Sequence, residues 1–213
     1  TQHTARADGR PSGHPPLVRK RTMATPEKIH VERKGPALTV TLAAPPLNIL
    51  DIQMLRELAD ALERVAGEAD PPHAVVIRGD GEKAFSAGAS VPDHLPERVS
   101  VMLAAFHRAI RAVWAMPSVA IASVRGHCVG GGLELAAACD LVIAAESATF
   151  SQPEIALGCF PPVASAYYPS LVGAKRAAEI VLLGGRMTAH EARAIGLINS
   201  VVPEGELDGA VAR

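Results

Sequence analysis

Aromatic residues are scarce, with only one Trp, two Tyr and four Phe, or 3% of the 213 residues. Hydrophobic content is nevertheless 48%, so a large core must be assembled mainly from Ala, Val, Leu and Ile. Charge of one sign is also lacking. The formal net charge is −1, and no basic stripe with interleaved aromatics appears, so no nucleic-acid partner is expected. Cysteine is sparse and odd in number: Cys128, Cys139 and Cys159 sit in apolar sequence with no Cys-x-x-Cys spacing. That count speaks against a disulfide framework and for a reducing compartment, and the cytoplasm is expected. The eight histidines include no His-x-x-x-His pair, so no metal site is expected. No apolar run reaches the length of a membrane span and no signal-peptide pattern is present, so no membrane partner is expected.

What is present starts with a basic stretch. Arg6, Arg10, Arg19, Lys20 and Arg21 face a single acid, Asp8, among interrupting Gly and Pro. Residues 1–28 are read as a disordered extension, with Met23 a candidate start. An organelle-targeting helix is the alternative, opposed by Pro11, Pro15 and Pro16. Order is expected from Ile29. Ile29–Arg33 and Ala37–Leu42 alternate like a hairpin. Asp51 reads as an N-cap ahead of a helical stripe of Met54, Leu55, Leu58, Leu62 and Val65. A strand over His73–Arg78 leads into a loop, Gly79–Ser90, and an irregular piece, Pro92–Pro96. A helix over Val99–Met116 follows, then strands at Val119–Val124, Asp140–Ala145 and Ala148–Phe150. A short turn of helix starts at Pro153, Pro161-Pro162 breaks the chain, and helices cover Ser165–Leu171 and Ala174–Leu183. Thr188-Ala-His-Glu191 has the capping pattern of another helix, and Leu197–Val202 closes as a strand. Strands alternating with helices predict an α/β architecture, and no repeat period is visible.

The chain turns on Val124–Asp140. A β-type run enters it, Gly130-Gly131-Gly132 follow, and Leu133–Cys139 reads as a short helix. Strand, glycine turn and helix aim free N–H groups outward at the positive end of the helix dipole, where a negative oxygen can be held. Glu134 lies in the first helical turn, beside that oxygen. The spacing matches neither Gly-x-x-x-x-Gly-Lys-Ser/Thr nor Gly-x-Gly-x-x-Gly, so nucleotide cofactors are not implied.

Four stretches together resemble the crotonase, or enoyl-CoA hydratase/isomerase, superfamily: Lys83–Ala89, Val129–Ala136, Phe150–Gly158 and Leu183–Asn199. The likeness runs from about Ile29 to Pro203. It implies a ββα spiral core over residues 29–203, with residues 204–213 beginning a C-terminal helical part that is largely absent from this chain. It also implies homotrimers or dimers of trimers that act on acyl-CoA thioesters, with no cofactor beyond the CoA moiety of the substrate. By motif position the resemblance makes the N–H groups of Ala89 and Gly131 an oxyanion hole. Adding water to an unsaturated thioester, or removing an α-proton, drives charge onto the carbonyl oxygen, and each preorganised donor there is worth roughly 3–4 kcal/mol. Glu134 and Glu154 fill the positions of the two catalytic glutamates of hydratases, one taking a proton from water and the other delivering one to the α-carbon. Their joint presence implies hydration, with double-bond isomerisation or a non-catalytic member as alternatives. Leu47, Asn48 and Ala87 match positions lining the CoA groove. Ser90 departs from the aspartate common after the oxyanion loop and is given no role. Pro45–Asp51, Val91–His94 and Cys159–Ala164 look like the cyclohexa-1,5-diene-1-carbonyl-CoA hydratase subgroup; His94 is read as an exposed loop histidine, with reach into the acyl pocket as the alternative.

Overall fold

Alternating side chains start the larger sheet. The computed structural model describes Thr1 and residues 27–213, so nearly all of the expected extension lies outside the described residues. Strands β1 (Ile29–Lys34) and β2 (Ala37–Leu42) pair antiparallel from Ile29↔Leu42 to Lys34↔Ala37, and Leu38, Val40 and Leu42 turn inward. Helix α1 (Ile52–Ala66) begins as its sequence demands. The Asp51 carboxylate accepts the Met54 N–H at 2.9 Å, and Met54, Leu55, Leu58, Leu62 and Val65 are buried.

The chain then winds in turns of strand, strand and helix. The first is β3 (Ala74–Gly79), β4 (Ala84–Ser86) and α2 (Val99–Ala115); the second is β5 (Val119–Val124), β6 (His127–Val129) and α3 (Gly131–Ala138). The third opens with β7 (Leu141–Ala145) and β8 (Thr149–Ser151), followed by a 3-10 turn, Pro153–Leu157, and α4 (Pro162–Val172). In every turn the first strand joins one sheet and the second strand joins another. Hence β3, β5 and β7 are parallel neighbours in a six-stranded sheet, and β4, β6 and β8 are parallel neighbours in a four-stranded one. Turns that start at Ala74, Val119 and Leu141 differ about twofold in length, which is why no period shows in the sequence. Helix α5 (Ala174–Leu183), β9 (Arg186–Thr188), α6 (Ala189–Ala194) and β10 (Ser200–Val202) finish the two sheets, and α7 (Leu207–Val211) follows a 3-10 turn. The α/β class expected from the sequence holds.

Local differences have local causes. The expected loop over Gly79–Ser90 contains β4, whose three residues are too few to show alternation. Pro162 does not break the chain but heads α4, where its missing N–H is not needed. The expected strand over Leu197–Val202 shortens to β10, with Leu197 and Ile198 buried ahead of it. The irregular piece after Ser90 is a 3-10 turn, Val91–His94. Its Asp93 carboxylate takes the Ile52 N–H at 3.1 Å and the Arg98 Nε–H at 2.7 Å, pinning the turn to the start of α1. Burial alone would raise the Asp93 pKa, but these donors hold it below its ordinary value.

Candidate active site

Two loops meet at the site. One follows β4 and carries Ala89; the other follows β6 and becomes the start of α3. In the parallel bridge between Leu50 and Ala89, Leu50 donates to Gly88 and accepts from Ser90, so the Ala89 N–H points the other way. Among the described residues no acceptor takes it. Gly131 is the first residue of α3, which has no side-chain cap, so its N–H is free for the reason common to all helix starts. The two donors belong together: a Cβ built on Gly131 would lie 3.3 Å from the Ala89 nitrogen.

Gly130 makes this entry possible. Its φ of 55° and ψ of −127° suit only glycine, and an added Cβ would come within 2.7 Å of Glu154 Oε1. The sharp turn therefore does two things. It starts the helix and leaves room for the carboxyl group arriving from the next spiral turn.

Glu134, in the first turn of α3, is 3% exposed, and its Oε1 accepts the Ala164 N–H at 2.8 Å. Glu154 comes from the 3-10 turn after β8. Its Oε1 accepts from Gln152 Nε2 at 3.1 Å, while its Oε2 is buried with no hydrogen-bond partner among the described residues. A buried, unpartnered carboxylate oxygen is costly, and a site that keeps one is shaped for something that arrives later. Both carboxyl groups, with Ala89 and Gly131, line a cavity of about 260 Å³ whose walls include Val99, Met102, Leu103 and Phe106.

Burial pushes the Glu134 pKa up to about 7 against the pull of the Ala164 N–H, and the charge on Glu154 adds to the rise. Burial raises Glu154 as well, opposed by its own backbone, by Gln152 and by His94. A folded pKa above the ordinary 4.5 means that the native state binds more protons, so the stabilisation is full below pH 4.5 and is lost as pH rises through about 7. We expect Glu134→Gln to flatten this dependence. Between those limits the wild type should lose on the order of 3 kcal/mol relative to the variant, as read from urea midpoints across pH.

His94 reaches the cavity wall. Its Nδ1 lies 2.8 Å from the Ser90 carbonyl oxygen, which can only accept, so Nδ1 carries the proton. Leu47, Asn48 and Ala87 do not line the cavity. The Leu47 carbonyl accepts the Ala87 N–H at 2.8 Å, and Leu47 is exposed beside it. Asn48 is fully buried, and its amide is spent inside the fold. Oδ1 takes the Ala44 N–H at 3.1 Å, and Nδ2 donates to the Asp80 and Ala84 carbonyls at 3.0 and 2.8 Å. It ties the loop after β2 to both ends of the β3–β4 connection. Asn48→Ala should lower stability by roughly 3 kcal/mol, a drop visible in a thermal melt, because it strands buried backbone groups. Sequence reasoning missed Gln152 and Tyr168. The Tyr168 hydroxyl donates to Gln152 Oε1 at 2.8 Å, and no spacing rule flags a glutamine before a proline or a tyrosine inside a helix.

Among the described residues no group of three potential metal ligands occurs, and no helix is long and apolar enough to cross a membrane. Residues 32–212 match the profile of the family described as enoyl-CoA hydratase/isomerase. The cyclohexa-1,5-dienecarbonyl-CoA hydratase of Thauera aromatica is 38% identical over 183 residues, covering 86% of this chain and 70% of that one. Among solved structures, DspI of Pseudomonas aeruginosa aligns with a TM-score of 0.84 at 34% identity, covering 91% of this chain and 80% of that one. An enoyl-CoA hydratase of Bacillus anthracis aligns at 0.82 and 32% identity, over 87% of this chain and 74% of that one. Curated relatives are matched over 64 to 72% of their own length. A profile that runs through both sheets, and solved relatives that share their path, lead to one conclusion: this chain belongs to the enoyl-CoA hydratase/isomerase, or crotonase, family.

Proposed function

We propose that the protein adds water to, or removes it from, an unsaturated acyl-CoA thioester. One observation carries the reading: Glu154, whose Oε2 is buried and unpartnered, lines the same cavity as Glu134 and as Ala89 and Gly131 with their free N–H groups. The thioester oxygen is held by the two amides, and a water sits between the two carboxyl groups. The pair shares one proton, which either carboxyl group can hold, and the form competent for hydration is the one with Glu134 ionised beside the Ala164 N–H and the proton on Glu154. As the water oxygen bonds to the β-carbon, its proton passes to Glu134, and the double-bond electrons move onto the thioester oxygen as an enolate. Glu154 Oε2 then gives its proton to the α-carbon and the carbonyl re-forms. The two glutamates have exchanged protonation states, and proton exchange with solvent resets them. The two carboxyls and two amides supply the proton transfer and charge stabilisation, so the reading calls for nothing beyond the CoA moiety of the substrate.

About 260 Å³ is below the roughly 300–1,000 Å³ of drug-sized pockets and suits a short or single-ring acyl group. Exposed Leu47 and half-buried Ala87, joined by the Ala87 N–H to the Leu47 carbonyl, are where we place the CoA chain, Ala87 lying two residues before Ala89 on its loop. Exposed Ile155, Leu157, Leu182 and Leu183 support assembly as a trimer or a dimer of trimers, which sedimentation tests. Three free thiols fit the cytoplasm. The deciding experiment offers crotonyl-CoA and cyclohexadienoyl-CoA side by side in heavy-oxygen water. Loss of the conjugated enoyl absorbance with label in the product is expected. Double-bond migration without label would replace hydration by isomerisation, and binding without turnover of either substrate would remove the chemistry.

A further inference from the structure

Glu154 is the end of a buried hydrogen-bonded chain. Tyr168 and Gln152 are both fully buried. The Tyr168 hydroxyl lies 2.8 Å from Gln152 Oε1, and Gln152 Nε2 lies 3.1 Å from Glu154 Oε1. Only one orientation of the Gln152 amide satisfies all three residues. Were it reversed, its oxygen would face the Glu154 carboxyl, and the tyrosine proton would have no acceptor among the described residues. The hydroxyl proton therefore chooses the orientation. With the amide so fixed, Glu154 Oε1 is engaged and Oε2 alone is left without a partner.

We propose that Tyr168 is a positioning residue for Glu154, acting through the Gln152 amide so that the carboxyl exchanges its proton only through Oε2. Its place in catalysis rests on the hydration reading above; its effect on Glu154 does not. Burial and the charges of Glu134 and Glu154 keep the phenol protonated, so it donates at every working pH. Other titratable groups acting at the Glu154 carboxyl are Glu134 on α3, His94 on the turn before α2, and Cys159 after its own turn. None of them contacts the Gln152 amide, so they leave its orientation to the tyrosine.

Tyr168→Phe frees the amide. Reversed, its oxygen accepts from a protonated Glu154, which favours the protonated form and holds the proton on Oε1 instead of Oε2. The test follows the Glu154 carboxyl carbon by NMR in the full-length chain with labelled glutamate, the resonance being assigned by its loss in Glu154→Gln. The midpoint should rise by about one pH unit in Tyr168→Phe and in Gln152→Met, with no further rise in the double variant. With crotonyl-CoA, kcat should fall about tenfold with KM unchanged. An unchanged midpoint in a folded Tyr168→Phe, or additive shifts in the double variant, overturns the proposal. If Tyr168→Phe does not fold, an unchanged midpoint in Gln152→Met does so. A wild type that titrates as described but turns over no substrate rejects hydration and leaves the positioning standing.

Discussion

Glu134→Gln and Glu154→Gln should each lower kcat for hydration by about 10³-fold while KM stays within a few-fold. Glutamine keeps the shape of both sites. At position 134 its carbonyl oxygen can still accept the Ala164 N–H, so the link between α3 and α4 survives and the far-ultraviolet spectrum should match the wild type. What is lost is the ability to change protonation state. Hydration moves two protons, one off the water oxygen as it bonds to the β-carbon and one onto the α-carbon, and each step needs a group that can take or release one. The double variant should therefore be little worse than either single one, because the carboxyls act as a unit. Isomerisation moves a proton from one carbon to another and can be run by one carboxyl alone. Near-wild-type turnover in either single variant would sink the two-carboxyl mechanism. A bell-shaped dependence of kcat on pH is expected from the same pair, since the active form has one group ionised and one protonated.

The readable parts of the chain were those where short-range chemistry decides structure. Asp51 caps α1 and Thr188 with Glu191 closes a capping box on α6, both because a cap needs only residues three apart. The stripe of α1 is one-sided, so its period shows. Helix α3 offers no such stripe: every residue from Gly131 to Ala138 is buried, Glu134 included. Its composition was legible, but its setting between β4, β5 and β7 was not. The second sheet was nearly invisible, since β4, β6, β8 and β9 have three residues each and are defined by partners far along the chain. At the site, motif position gave Ala89, Gly131, Glu134 and Glu154, and the fold brings all four to one cavity. Asn48 stood out for the same reason, yet its amide serves the fold, because a motif records that a residue type recurs and not what it touches. Gln152 and Tyr168 meet across 16 residues, a contact that joins α4 to the residue just after β8 and that no local pattern announces.

Gly132→Ala should cost both stability and turnover, and the reason is backbone rather than side chain. An added Cβ at position 132 would sit 2.6 Å from the Ser86 carbonyl oxygen and 2.8 Å from its Cβ. Neither atom can swing aside as the end of a long side chain could, so α3 must back away from β4. Ser86 also accepts the Gly88 N–H through its Oγ at 3.1 Å, so a push on Ser86 reaches the loop that carries Ala89. The Ala89 and Gly131 amides lie on opposite sides of that contact, and under the proposed function parting them by a few tenths of an ångström would loosen the grip of one donor on the enolate oxygen. The expected result is a loss of about 1–3 kcal/mol in stability and a fall in kcat on the order of 10²-fold. Gly209→Ala is the control: nothing lies within 4 Å of its Cβ, and a helical glycine replaced by alanine should keep full activity. Retained kcat in a destabilised Gly132→Ala would mean that the amides of Ala89 and Gly131 do not hold the oxygen on which charge develops.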